Sequence, residues 1–271
     1  MSSVLKYGFI GGGNMAEALI RGMIQGGRLE PADIMVSDPQ SERRRLLSRE
    51  FQVKAAETNH SLVEESNVLI LAVKPQVMDS VLTEVGPVIT ADQLVISIAA
   101  GVTIQRIQSA LAASAPVVRA MPNTPALVLA GAAALAAGDF ATDAHMAQAR
   151  MVFEAVGEVI EISENQLDVV TGLSGSGPAY VFVLLEAMTE GAVRLGMVRD
   201  QARLLAYQTV LGAAQLAKQS GFHPAQLKEM VTSPGGTTAA GLYELEKSGF
   251  RGLIMDAVAS AALRARELGR D

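Results

Sequence analysis

From residue 4 to about residue 156 the chain alternates short apolar runs with helical spacing, and near residue 161 that alternation stops. Residues 68–73 (VLILAV) are almost wholly apolar, the pattern of a strand covered by helices on both faces. Residues 4–10, 33–37, 94–98, 117–119 and 132–136 read as further strands. Residues 14–25, 41–50, 77–85, 103–111 and 142–156 read as helices, the first with Met15, Leu19 and Met23 as its apolar positions. Repeated strand–helix units specify a parallel sheet wound on both sides. From Pro178 onward only helical patterns remain, over residues 178–194, 200–219, 224–230, 241–247 and 250–268. Pro178 suits a first helical position, and Gly196 and Gly221 suit helix stops. The expected organisation is an α/β domain over residues 1–162 followed by an all-helical domain over residues 163–271.

The helical half adds a second constraint. Residues 180–188 and 253–263 are apolar on most faces, and such helices must be buried on most faces. Roughly a hundred residues of helix cannot bury that much surface alone, so this half reads as a dimerisation domain. The chain is 49% hydrophobic and 18% charged, which excludes a disordered tail. A net charge of −6 argues against nucleic acid or an anionic membrane as main partner, since both need clustered positive charge. Arg43, Arg44 and Arg45 form the one basic cluster, and it is short. The longest weakly polar run, residues 125–138, is too short and too rich in Ala and Gly to span a bilayer. A strand pattern at residue 4, with no basic leader before it, gives a cytoplasmic expectation. The absence of cysteine excludes thiolate nucleophiles, disulfides and Cys-ligated metals. His60, His145 and His223 are too widely spaced for a helical metal pair.

Directly after the first strand stands Gly11-Gly12-Gly13-Asn14-Met15-Ala16, opening the first helix. It fits G-x-G-x-x-A, the dinucleotide-binding fingerprint of a Rossmann-type domain. Gly11 permits the tight turn, Gly13 lets the backbone approach a pyrophosphate, and Ala16 allows close helix–sheet packing. The phosphates would rest on the helix N-terminus at Asn14 and Met15, where free N–H groups favour anions. Methyltransferases carry similar loops, so this loop alone does not establish redox chemistry. The end of the second strand offers both an acid, Asp38, suited to the ribose hydroxyls of NADH, and Ser37 with the three arginines, suited to the 2′-phosphate of NADPH. The residues leave that choice open. Ala72, Val73, Lys74 and Pro75 follow the next apolar strand, and Ala99, Ala100 and Gly101 follow the one after it. Both turns stand at the strand ends where open α/β sheets bind ligands, and small residues there would let a nicotinamide lie against backbone.

Six unusual strings then occur in one order: GFIGGGNMAEALIRG, LAVKPQ, SIAAGVTI, RAMPNTPA, GLSGSGPAY and VTSPGGTTAAGL. Together they resemble the pyrroline-5-carboxylate reductase family over about residues 7–268. The resemblance implies NAD(P)H-dependent reduction of (S)-1-pyrroline-5-carboxylate to L-proline, with NADPH as cofactor and NADH as the alternative. It also implies homodimers built from the helical domain, in some members gathered into decamers. Asn59 stands where the family has a cofactor-contacting Asn, and Lys74-Pro75 lies in its cofactor-lining segment. Ser176, Gly177 and Pro178 match the loop beside the nicotinamide, and Glu164 matches an acidic position near the substrate. Ser233, Gly235, Gly236, Thr237 and Thr238 occupy the substrate loop. Asp38 stands where some relatives carry a neutral residue, which bears on the choice of cofactor.

The residues of that loop suit the chemistry. Two hydroxyls, a Gly-Gly backbone and several N–H donors can hold a small carboxylate. Thr238 is expected to hydrogen-bond the ring nitrogen and so orient C5 for hydride. No lysine or histidine is evident as proton donor, and a substrate bound as the iminium needs none. Hydroxyacid dehydrogenases of this plan use a lysine on the first helix after the domain break, and residues 178–194 contain none. A non-enzymatic nucleotide sensor would not need both the glycine loop and SPGGTT. His223 before Pro224 reads as a turn residue, and Arg119 reads equally well as a cleft residue or a salt-bridge partner.

Overall fold

The computed structural model describes residues 5–269. Its strands are β1 (Tyr7–Ile10), β2 (Ile34–Ser37), β3 (Lys54–Ala55), β4 (Val68–Leu71), β5 (Leu94–Ser97), β6 (Val117–Met121), β7 (Gly131–Ala137) and β8 (Gly157–Glu161). Val4, the expected start of β1, lies outside the described residues. The strands form one sheet in the order β3-β2-β1-β4-β5-β6-β7-β8. The order reverses between β1 and β4, which opens the crevice where such sheets bind ligands. Helices α1 (Asn14–Gln25), α2 (Ser41–Phe51), α3 (Asn59–Glu65), α4 (Met78–Val85), α5 (Ile104–Ala110) and α6 (Asp143–Glu154) connect the strands.

Strand pleating sorts the core onto two sides. Phe9, Ile70 and Ile96 point to the side that holds Leu19, Ile20 and Phe153. Ile10, Leu69, Leu71 and Val95 point to the side that holds Leu62, Met78 and Leu82. β1, β2, β4 and β5 are buried at every residue, as their apolar runs require. Each fully buried Leu, Ile or Phe contributes about 1.5–3 kcal/mol.

Four features depart from the expected alternation, the first being β3, two exposed residues that pair parallel with β2. β7 runs antiparallel to β6, because the link between them is a short turn over Thr124–Val128 with Leu129 at φ 58°. A parallel crossover would need a dozen or more residues. β8 then pairs parallel with β7 as an edge strand, and its mostly half-exposed or exposed GEVIE sequence lacks the apolar alternation that marks a strand. α3 is short, and its signal was a cap: Thr58 Oγ1 accepts the Ser61 N–H at 3.2 Å.

Beyond the sheet come a 3-10 turn (Glu164–Gln166), α7 (Leu167–Val170) and a π-turn (Thr171–Gly175). There follow α8 (Gly177–Arg194), α9 (Arg199–Ser220), α10 (Pro224–Met230), α11 (Thr237–Lys247) and α12 (Phe250–Leu268). α11 begins four residues before its expected start, because Gly236 serves as its N-cap and Gly241 lies inside it. The chain falls into two compact units, one reaching Ser176 and reclaiming the chain from Ser260, the other spanning Gly177–Ala259. The expected division stood at residue 162, where the strands end; in the structure the turns that follow stay with the sheet.

In the second unit, among the described residues, only Thr189, Ala202 and Ala206 are buried. The run Glu164–Arg194 is long and apolar enough, by length and composition, to cross a membrane, with a mean hydropathy of 1.3 in its window. It exceeds residues 125–138, the stretch expected to be longest, because its helical turns follow one another with few charged residues between Thr171 and Met188. Only 11% of that window is buried within the chain.

Candidate active site

The glycine loop forms as its residues require. Gly11 has φ 97°, and a Cβ there would stand 2.6 Å from the Ala72 carbonyl oxygen. Gly13 is exposed at the N-cap of α1, and a Cβ there would meet nothing within 4 Å. Space is therefore free in front of Gly13 for a group that needs close backbone approach, and no side chain caps the first-turn N–H groups of α1. The loop fits a pyrophosphate.

In front of it lies a cleft of about 920 Å³. The cleft brings together Gly11, Gly13 and Asn14 with Ser37, Asp38, Asn59, Ala72, Val73 and Lys74. Met15 instead leans its side chain on the core, and Pro75 starts the turn before α4. Asp38 Oδ2 accepts the Gly12 N–H at 2.9 Å and Oδ1 accepts the Gln40 N–H at 2.8 Å. Arg43 donates to the Gly12 carbonyl and pairs with Glu17 at 2.5 Å. Asp38 and Arg43 therefore both line the cleft, Arg43 held by the loop and Glu17, while Arg44 donates to the Asp38 carbonyl. Ser37 Oγ donates to Asn59 Oδ1 at 2.6 Å, and Asn59 Nδ2 donates to Glu84 Oε2 at 2.8 Å. Glu57, Thr58 and Glu84 line the cleft without having been singled out from the sequence. Thr58 was legible as a helix cap; nothing near Glu84 marks it.

Ala99, Ala100 and Gly101 follow β5, one strand beyond β4, and do not line the cleft. Ala99 and Gly101 are buried, so Ala100 presents the surface of that turn. Glu164 makes contacts the sequence did not suggest: its Oε1 accepts the Ile104 N–H at 2.8 Å and pairs with Arg119 Nη1 at 3.0 Å. Arg119 is thus a salt-bridge residue, with its side chain only 7% exposed. Asn123 Nδ2 donates to the Ser174 carbonyl at 3.0 Å and its Oδ1 accepts the Ala132 N–H at 2.8 Å, which fixes the π-turn ahead of Ser176. Such π-turns recur at functional sites. Gly177 and Pro178 open α8.

In the second unit, Ser233-Pro234-Gly235-Gly236 makes a β-turn closed by the Gly236 N–H on the Ser233 carbonyl at 3.0 Å. Pro at its second position and Gly235 at φ 66° at its third are what a type II turn demands. The turn delivers the chain into α11, whose first-turn N–H groups carry no side-chain cap. Thr237 is exposed and Thr238 half-buried, both in that first turn. His223 caps α10 by accepting the Ala225 N–H at 3.2 Å, the turn role expected of it.

A nucleotide crevice in a Rossmann-type sheet, followed by an all-helical unit, defines an NAD(P)-dependent oxidoreductase of the two-domain kind. The family model for pyrroline-5-carboxylate reductase dimerisation matches residues 164–268, and that for coenzyme F420-dependent NADP oxidoreductases matches residues 6–101. The pyrroline-5-carboxylate reductase of Synechocystis is 48% identical over 266 residues, covering 98% of this chain and 99% of its own. The solved structure of such a reductase from Coxiella burnetii superposes with a TM-score of 0.91 at 39% identity, covering 97% of this chain and 98% of that one. One from Plasmodium falciparum, solved with NADP bound, gives 0.88 at 30% identity, covering 98% of each. The chain belongs to the pyrroline-5-carboxylate reductase family. Its activity is NAD(P)H-dependent reduction of the cyclic imine 1-pyrroline-5-carboxylate to proline, and it self-associates through its helical part.

Proposed function

We propose that the dinucleotide lies along the cleft with its pyrophosphate on Gly11, Gly13 and the N-terminus of α1, and that the substrate carboxylate is held by the turn at Ser233 to Thr238. The observation that carries the second placement is the turn itself. Gly235 and Gly236 clear side chains from the approach to α11, whose free N–H groups favour a small anion. Thr238 Oγ1 then hydrogen-bonds the ring nitrogen while the amides hold the carboxylate. Fixing two points of a five-membered ring sets the face of C5 presented for attack. Bound NAD(P)H supplies the hydride to C5, and the proton on nitrogen arrives with the substrate as its iminium.

On the ribose side Asn59, held between Ser37 and Glu84, reads hydroxyl groups. NADPH is the cofactor, its 2′-phosphate met by Arg43 on the cleft wall beside Ser37, and NADH is also accepted because Asp38 suits a free ribose 2′-hydroxyl. The apolar run at Glu164–Arg194 is covered by a second copy of the chain rather than by lipid, the whole working as dimers in the cytoplasm, with five dimers gathered in the largest form.

Initial rates of NADPH and NADH oxidation with pyrroline-5-carboxylate, measured side by side, test the reading. Turnover with both, faster at low concentration for NADPH, is the expected result. No imine-dependent oxidation of either would remove it.

A further inference from the structure

The turn Ala99-Ala100-Gly101 is held from more sides than a strand-to-helix turn requires. On the strand side, Ser97 ends β5 and stands in register with Arg119 of β6. Ser97 is fully buried, and its Oγ accepts the Ala99 N–H at 3.4 Å. On the helix side, Ile104 begins α5. One carboxylate oxygen of Glu164 reaches both, at 3.0 Å from Arg119 Nη1 and 2.8 Å from the Ile104 N–H. Glu164 therefore spans the turn like a staple, tied to the residue beside its entry and to the residue at its exit. Beneath it, Gly101 has φ 77°, and a Cβ there would stand 3.2 Å from the Leu268 carbonyl oxygen. The end of α12 that makes this contact is itself anchored, Arg266 lying 3.7 Å from Asp168.

We infer that Glu164 is a positioning residue for hydride transfer, acting through the height of the Ala99-Ala100-Gly101 turn and not as a ligand of the substrate. This rests on the reading that the nicotinamide end of the dinucleotide reaches beyond the cleft to Ala100, which is half-buried where Ala99 and Gly101 are buried. A carboxylate is the right group for the task. It accepts from a backbone N–H and a guanidinium at once, and both are charge-assisted bonds that hold geometry tightly. Hydride transfer is sensitive to such geometry, since misplacement by about 1 Å can cost 10²-fold. The pyrophosphate grip at Gly13 lies elsewhere, so affinity and turnover should separate.

Glu164→Ala tests this with three readouts: steady-state kinetics, NADPH dissociation by fluorescence, and the isotope effect with NADPH deuterated at the transferred position. The expected result is a kcat lower by roughly 10- to 100-fold with an enlarged isotope effect. The KM for the imine and the NADPH Kd should stay within about threefold. Glu164→Gln keeps an oxygen for the Ile104 N–H but not the charge that pairs with Arg119, and should restore kcat in part. Glu164→Asp, one methylene short, should lose the Ile104 contact and fall between them, so the inference stays testable if the alanine variant does not fold. An increased KM for the imine with kcat and isotope effect unchanged would make Glu164 a substrate ligand and overturn the inference, as would wild-type values throughout. Ala100→Leu separates the two levels. If it leaves the NADPH Kd unchanged, the reading of the turn fails. If it weakens NADPH tenfold or more while Glu164→Ala does nothing, only the inference fails.

Discussion

Helices α1 and α9 are both built on apolar side chains, yet they end in different surroundings. α1 has 12 residues and buries Ala16, Ala18, Leu19, Ile20 and Met23 against the sheet. α9 has 22 residues and buries only Ala202 and Ala206. The same contrast runs through the two units. In the first, Phe9, Leu19, Ile70 and Phe153 have no exposed surface. In the second, Phe182 is 60% exposed, Leu204 66% and Met255 71%. The difference lies in where each helix's partner resides. For α1 the partner is in its own chain, so its core closes locally. For α8, α9 and α12 the apolar surface exceeds what the chain covers, so the remaining core must come from another copy. Exposed apolar residues in this number mark an interaction surface.

That contrast can be broken most severely at the open face. Phe182→Glu places a charge where the second copy must pack, and should weaken self-association by about 30- to 1000-fold, the range for losing a central anchor. Sedimentation of the purified variant measures it. The closed unit should be unaffected, and the variant should still bind NADPH.

The converse change leaves assembly alone. Gly13→Val fills the space in front of α1, where a Cβ meets no protein atom within 4 Å. NADPH affinity should fall by a hundredfold or more, because the side chain occupies the pyrophosphate position. The melting temperature without cofactor should match wild type, and oligomeric state should be unchanged. A variant that binds NADPH normally would take the loop out of the site.

Thr238→Ala touches the second unit's contribution to chemistry. Removing one hydrogen bond made in the transition state costs on the order of 1–3 kcal/mol, roughly 5- to 150-fold in kcat/KM. NADPH dissociation should stay the same. Thr237→Ala should do less, because Thr237 offers mainly its backbone N–H.

How much of this was legible beforehand differs between the units for a physical reason. Strand and helix signals are local, so VLILAV announced a buried strand and the glycine loop announced the turn at Gly11. β8 was hidden because an edge strand with Glu158 and Glu161 in it has no apolar run. The reversal at β7 was hidden because direction depends on the link, and Leu129 in a left-handed conformation is not a residue one expects there. Around the cleft, Ser37 and Asp38 were legible from their place at the end of the second strand, and Asn59 only through the family resemblance. Glu84 was not, since it reaches Asn59 from 25 residues away in sequence through a fold-dependent contact. The two roles of the Glu164 carboxylate were equally hidden, because Ile104 and Arg119 come to it from different elements.

The smallest expected effect is electrostatic. Arg106 beside Asp79 holds that carboxyl below the ordinary aspartate range, chiefly through their hydrogen bonds at 2.6 and 3.0 Å. A lowered folded-state value means the stabilisation is complete above the unfolded value near 4 and is lost as pH falls through the folded value. Asp79→Asn should therefore change the melting temperature slightly at pH 7 and not at all once pH is below both values. Asp79 is exposed and Arg106 half-exposed, so salt should shrink the difference further. An effect that grows on acidification would contradict the assignment.

The central claim is that the helical unit acquires its core only from a second copy. Sedimentation equilibrium across a dilution series from tens of micromolar to tens of nanomolar, with circular dichroism on the same samples, tests it directly. The expected result is no folded monomer at any concentration: dimers or larger species persist, and where they dissociate, helical signal is lost with them. A chain that sediments as a monomer at micromolar concentration with its full helical signal would show that the exposed faces of α8, α9 and α12 need no partner, and would contradict the account.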